Sequence, residues 1–205
     1  VTLGSAVQRE FGNLIVSNCH KQPSENFIKT ISTPDFIYNK IKGVLKLLLE
    51  KNPNLKVSFS VSPIRHSKEG LIENSLSKST LILLCHKLSS KHLEIEYLPV
   101  YEIIIDELRD YSFFNEDLIH PNSNGINFVW RKISEQLFSQ KFKVFYKTAS
   151  SLIGSINHKS MYPKSKENKK FLIDLIDAIQ TFERKYNLTW TSEIQEVEKR
   201  LRKLE

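Results

Sequence analysis

The sequence predicts an α/β fold, with parallel strands alternating with helices, and three observations carry that prediction. Leu55 to Val61 and Leu93 to Leu98 are strand-length apolar runs rich in β-formers. Between and after them lie longer stretches whose apolar residues recur at helical spacing. Pro, Asn and Ser punctuate the joints, at Asn52-Pro53-Asn54 and Ser62-Pro63. Strands separated by helices imply crossover connections, hence a parallel sheet in a three-layer α/β arrangement.

Taken in order, Val1 to Leu3 reads as a strand, and Leu14 to Ser17 as a short extended piece after a turn at Gly12-Asn13. Thr33-Pro34-Asp35 is a helix entry, with a capping hydroxyl, a proline suited to the first turn and an acid near the N-terminus. Ile37, Ile41, Val44, Leu45 and Leu48 continue that helix to about residue 51. A second helix is expected over 72 to 90 and a third over about 100 to 109. The Asp117–His120 segment follows as a loop, and Pro121 opens the next helix, which runs to about Phe138. On these signals residues 1–156 form the main domain. Residues 157–205 form a polar linker containing Pro163 and a C-terminal helical hairpin. Phe171, Leu175, Ile179, Phe182 and Tyr186 stripe its first helix, and Asn187 ends it. Thr191 or Ser192 caps the second, which carries Ile194, Val197, Leu201 and Leu204 on one face.

In an open parallel sheet, ligands bind beyond the carboxyl ends of the strands. Gly4, Ser62-Pro63-Ile64-Arg65-His66 and the Asp117–His120 loop all follow strands or strand–helix units, so the topology can gather them on one rim. Asp117-Leu118-Ile119-His120-Pro121-Asn122 is the strongest chemical signal. An acid three residues before a histidine can hold one ring nitrogen, fix the tautomer and stabilise the imidazolium formed on proton transfer. Arg65 and His66 read either as a polar strand exit or as a cleft wall, with Arg65 able to meet a carboxylate. In Asn18-Cys19-His20-Lys21 adjacent side chains of an extended segment point to opposite sides, which argues against a Cys–His dyad. Asn18 suits an oxyanion donor better. Ser5 lacks the Gly-x-Ser-x-Gly turn that exposes a nucleophile and is a minority candidate. His86, His92 and His158 sit among polar residues and are expected to be solvated. Metal-ligand spacing, a Walker A loop and a dinucleotide fingerprint are missing from the sequence, so no metal or organic cofactor is expected.

The stretches "VTLGSA", "SNCHK", "VSPIRHSKEGLIENSLSKSTLILL", "YLPVYEIIIDELRDYSFFNEDLIHPN" and "FVWRKI" resemble the GSCFA family, a branch of the SGNH/GDSL-type hydrolases. A weaker likeness lies in "INHKSMYPKSKENKKFL". The resemblance implies a flavodoxin-like α/β/α sandwich of the SGNH-hydrolase type, with a serine esterase or acyl-hydrolase site. On that pattern His120 is the base, Asp117 its orienting partner, and Gly4 lines the oxyanion hole. The asparagine usual two residues after that glycine is replaced by Ala6, and Asn18 is the substitute on chemical grounds. The Gly-Ser-Cys-Phe-Ala motif that names the family, and whose serine is its expected nucleophile, does not occur in this chain. The expectation is that the sequence starts about a third of the way into the family pattern, that the nucleophile lies upstream, and that the chain alone is inactive or very weak.

The substrate implied is a small acyl ester, such as an O-acetyl group on carbohydrate. The alternative is a non-catalytic module that keeps the cleft to bind a glycan or protein. Composition narrows the other classes. The 205 residues are 40% hydrophobic and 10% aromatic, which indicates a globular chain rather than a disordered one. No apolar run is long enough to span a bilayer and no signal segment is seen, so a cytoplasmic protein without membrane partners is expected. Two cysteines do not suggest a disulfide framework. Lys and Arg outnumber acids 14 to 8 over residues 141–205, against 16 to 15 over 1–140. In that tail, lysines interleave with acids on helix faces and aromatic residues do not alternate with them, so a solvated surface is expected rather than a nucleic-acid site. The hairpin is the expected route to any oligomer.

Overall fold

The computed structural model describes residues 1–17 and 21–204. The chain forms two compact units, Val1–Ile133 and Ser134–Glu205. It is a mixed α/β protein, dominated by helix, with a small parallel sheet.

In the first unit the parallel sheet runs β1 (Thr2–Leu3), β5 (Val57–Val61), β6 (Ile95–Leu98), in the spatial order β1-β5-β6. Leu3 pairs with Val61, and Ser60 with both Thr2 and Leu98, so the three strands end at one level. Two helices cross over between them. α1 (Pro34–Lys51) starts as its sequence dictates, with Thr33 Oγ1 accepting the Phe36 N–H at 3.2 Å and Pro34 in the first turn. α2 (Leu71–Lys91) presents Ser77, Lys78, Leu81, Leu84, Cys85 and Leu88 as a continuous buried stripe. Its apolar members pack with Leu45, Phe59, Val61 and Ile95 into the core that fixes the sheet.

A second sheet was not anticipated. β2 (Val7–Phe11), β3 (Leu14–Val16) and β4 (Ile28–Ile31) form an antiparallel sheet in the order β3-β2-β4. Its hairpin turns at Gly12-Asn13, where Gly12 takes φ +61°, a backbone that glycine adopts without penalty. β2 and β4 escape sequence reading because Gln8, Arg9, Glu10, Lys29 and Thr30 break up the apolar pattern. Pairing, not periodicity, makes them strands. Glu69 lies between Arg9 and Lys29, and these cations hold its carboxyl below the usual range despite the opposing effect of burial.

After β6, α3 (Val100–Glu102) widens into a π-turn over Ile103–Glu107, which buries Ile103 and Ile104. α4 (Ser123–Leu137) does not open at Pro121. Pro121 instead pairs with Phe114 in a β-bridge, and the Asn122 side chain caps the helix by accepting the N–H groups of Asn124 and Gly125 at 3.0 and 3.1 Å.

The second unit begins ahead of the boundary expected at 156/157, because α5 (Gln140–Asn157) packs with α6 (Lys166–Tyr186) and α7 (Thr191–Arg202). The expected two-helix hairpin is therefore part of a three-helix unit. Its core comprises Ala149, Leu152, Leu172, Leu175, Ile179, Phe182 and Val197. Leu172 is the fully buried residue where Phe171 was expected to lead the stripe. Asn187, at φ 51°, stops α6 as its sequence suggested. α7 is entered from Trp190, whose N–H is accepted by Glu183 Oε1 at 2.5 Å, rather than from a hydroxyl cap at Thr191 or Ser192.

Candidate functional site

The loop from Asn115 to Pro121 is closed by its own backbone. The Asn115 N–H donates to the His120 carbonyl at 2.8 Å, and the Leu118 N–H to the Asn115 carbonyl at 2.9 Å. Closure this tight requires a left-handed residue, and Leu118 supplies it at φ 56°, an unusual backbone for a bulky side chain that concentrates strain here. Asn122 braces the loop from outside, its Nδ2 donating to the carbonyls of Ser112 and Phe114 at 2.7 and 3.1 Å.

Within this frame Asp117 Oδ2 lies 2.6 Å from His120 Nδ1. Oδ1 accepts the N–H groups of Ile119 and His120, each at 2.9 Å. These contacts, first the His120 backbone N–H, then its ring and the Ile119 N–H, pull the Asp117 pKa down to about 2. An ionised carboxylate can only accept, so His120 carries a proton on Nδ1 in this contact, and in the neutral ring Nε2 is the nitrogen with the lone pair. More than half of the imidazole side chain is exposed. The arrangement can take a proton from a hydroxyl and keep the resulting imidazolium paired.

A second cluster surrounds the end of β1. The Gly4 carbonyl accepts from Lys78 Nζ at 2.6 Å and lies 3.1 Å from His66 Nε2. A carbonyl accepts only, so His66 bears its proton on Nε2 in this contact. The His66 N–H donates to Asn74 Oδ1 at 3.0 Å. Ser77 Oγ takes the Ala6 N–H at 2.7 Å and lies 3.2 Å from Ser5 Oγ, which itself accepts the Val7 N–H at 3.0 Å. The Ser5 hydroxyl is thus engaged within the strand exit. Ala6 is part of the apolar core, so the position where the pattern has asparagine offers no polar group.

Burial lowers the Lys78 pKa to about 8, which still leaves the ammonium mostly charged at neutral pH. Lys78, Ser77 and Asn74 were not singled out from the sequence, although a signal was present. The stripe Leu81–Leu84–Cys85–Leu88, extended one turn toward the N-terminus, falls on Ser77 and Lys78. Polar residues at core positions of a helix mark a place where the backbone needs partners.

Of the residues expected at the rim, Gly4 and His66 meet directly, and Asp117 and His120 meet directly. Arg65 is exposed and its Nη1 lies 3.5 Å from Tyr111 Oη. The Tyr111 ring packs on Phe114 at 5.7 Å, and Phe114 bridges to Pro121, so a run of contacts joins the β5 exit to the His120 loop. Asn18 lies outside the described residues, as do Cys19 and His20. His92 departs from the expectation of a solvated side chain: its Nε2 is 3.2 Å from Tyr38 Oη and its Nδ1 is 3.4 Å from Glu94. Among the described residues no three His, Cys, Asp or Glu side chains converge in a metal-holding group, and no helix is long and apolar enough to cross a membrane.

No curated protein and no solved structure matches the chain. The model of the GSCFA domain protein C-terminal domain matches residues 150–203, close to the span of the three-helix unit. The GSCFA family model matches residues 1–133, the whole of the first compact unit and so both polar clusters, and the chain belongs to the GSCFA family.

Proposed function

We propose that the first unit is the base-bearing part of an SGNH-type ester hydrolase, acting on small acyl esters such as O-acetyl groups of carbohydrate. Its sheet would be the centre of a three-layer sandwich of the SGNH kind. His120 takes the proton of an attacking hydroxyl through Nε2. Asp117 holds the ring from the other side and remains ionised as the imidazolium forms. The attacking serine is the one in the Gly-Ser-Cys-Phe-Ala motif of the family, a motif that these 205 residues do not contain. Gly4 and the β1 exit supply backbone donors for the oxyanion, and Arg65 and His66 wall the cleft.

The observation that carries this reading is the Asp117–His120 pair. A carboxylate tied down by two backbone N–H groups grips one imidazole nitrogen at 2.6 Å, on a side chain more than half exposed. An ordinary surface ion pair does not need a left-handed leucine and an asparagine brace to hold it.

The test is hydrolysis of p-nitrophenyl acetate and of an O-acetylated oligosaccharide by the complete gene product and its His120→Ala variant. Loss of the general base should lower kcat by roughly 10²-fold or more. Wild-type turnover in a folded His120→Ala protein would remove the reading. If neither protein turns over substrate but the wild type binds the acetylated oligosaccharide, the cleft belongs to a binding module.

A further inference from the structure

A buried lysine needs a reason. Lys78 is 1% exposed, on the face of α2 that packs against the sheet, and its hydrogen-bond acceptor is the carbonyl of Gly4. Removing an ammonium from water is costly, and one neutral carbonyl repays only part of that cost. A methionine would fill the same space without the desolvation cost. The charge is therefore better explained by what it does to the Gly4–Ser5 peptide than by what it adds to stability.

Gly4 C=O and Ser5 N–H belong to one peptide unit, and every peptide bond described is trans. In a trans peptide the two groups point in opposite directions. Lys78 Nζ and His66 Nε2 draw the carbonyl toward α2 and the β5 exit. The Ser5 N–H is thereby turned the other way. Ser77 clamps the next peptide through the Ala6 N–H, so the plane cannot flip back. Among the described residues the hydrogen bonds around this turn use the N–H groups of Ala6 and Val7 but not that of Ser5. A cation on the carbonyl also polarises the whole amide, which makes the N–H at its other end a stronger donor.

We propose that Lys78 is a positioning residue that orients and polarises the Ser5 backbone N–H as an anion donor, the oxyanion donor of the hydrolase site. The assignment of the anion as an acyl-transfer oxyanion rests on the function proposed above. The effect of Lys78 on the Ser5 amide does not. It also shifts the oxyanion role from the Gly4 N–H to the next peptide.

Amide hydrogen exchange of Ser5, followed by NMR in this chain, separates polarisation from simple bracing. Exchange in water requires hydroxide to remove the amide proton, and an ammonium on the carbonyl makes that proton more acidic. In Lys78→Met, Ser5 exchange should slow by roughly threefold or more relative to neighbouring amides, because the polarising charge is gone. Lys78→Gln, which keeps a neutral donor, should fall between the two. A merely structural lysine predicts the opposite sign, since a loosened turn exchanges faster. Unchanged or faster Ser5 exchange in folded Lys78→Met or Lys78→Gln overturns the proposal. With the complete gene product, Lys78→Met should lower kcat roughly tenfold or more and leave KM little changed. Unaltered kcat in an enzyme whose turnover depends on His120 overturns the oxyanion role. If turnover does not depend on His120, the hydrolase reading falls and the exchange result alone decides Lys78.

Discussion

At the scale of single residues, the chemistry of Asp117 is set by hydrogen bonds rather than by burial. Its folded pKa of about 2 lies below the ordinary 3.8, so the pairing stabilises the loop at any pH above about 3.8 and is lost as pH falls through about 2. Asp117 is therefore charged at any pH well above about 2, neutrality included. Asp117→Asn makes the sharper test. The amide oxygen can still accept the Ile119 and His120 N–H groups, so the loop should keep its shape. The other end of the side chain becomes a donor, which pushes the imidazole proton from Nδ1 to Nε2 and removes the base. In the complete gene product the expected result is a fall in kcat of roughly 10²-fold or more, with a melting temperature only slightly lowered by loss of the charged pairing. A variant that stays as active as wild type would show that Asp117 only shapes the loop. The Asp-x-x-His spacing was readable in the sequence. The left-handed Leu118 that allows both contacts was not, because leucine does not announce positive φ.

At the scale of elements, the His120 loop is positioned by how α4 seats against the turn before it. Gly125 lies in the first turn of α4, where an added Cβ would come within 2.7 Å of the Phe113 carbonyl oxygen. Backbone cannot move aside cheaply, so the helix start would have to lift and Asn122 would lose its hold on Ser112 and Phe114. Gly125→Ala should cost about 1–3 kcal/mol of stability by urea unfolding, despite the better helix propensity of alanine. An unchanged urea midpoint would mean that α4 and the 111–114 turn are not packed as described. The helices α1, α2 and α6 were legible because apolar spacing and caps are local signals, as with Thr33, whose hydroxyl accepts the N–H three residues on. The Ser165 cap of α6, inside the expected linker, was not read. The antiparallel strands β2 and β4 were not, since a partly exposed strand of mixed polarity is defined by its neighbours. The start of α4 was placed at Pro121 for the same reason: proline suits a first turn, but a bridge to Phe114 claimed it.

At the scale of the whole molecule, titration of buried groups links stability to alkaline pH in two opposite ways. Burial pushes the Cys85 thiol up to about 12, with the Glu102 charge assisting, and burial followed by the Glu102 carboxylate also raises the Tyr97 phenol. These groups stay protonated when folded and ionise when unfolded, so stability falls as pH rises above about 9. Lys78 acts in the other direction. Its folded pKa of about 8 lies below the ordinary 10.5, so the unfolded chain binds more protons between those values and stability rises with pH across that window. In the difference between wild type and Lys78→Met the thiol and phenol contributions cancel. The expected outcome of urea unfolding at several pH values is that wild type gains on the variant from about pH 8 to 10.5. A flat difference would mean that Lys78 is not desolvated.

By itself the sequence determined the class of fold, the core-facing stripes of α6 and α7, the family and the Asp117–His120 pair. All of these rest on contacts within a few residues or on periodicity along one element. On α1, by contrast, the expected Val44 and Leu48 are exposed and Tyr38 is buried in their place. Only the tertiary structure decided that Gly4, His66, Ser77 and Lys78 meet, that Ser5 and Ala6 are taken up by Ser77, and that α5 joins the C-terminal helices. Those are contacts between segments far apart in the chain, such as Lys78 with Gly4 across 74 positions. Spacing along the chain carries no record of them, because they exist only once the sheet has brought its strand ends to one rim.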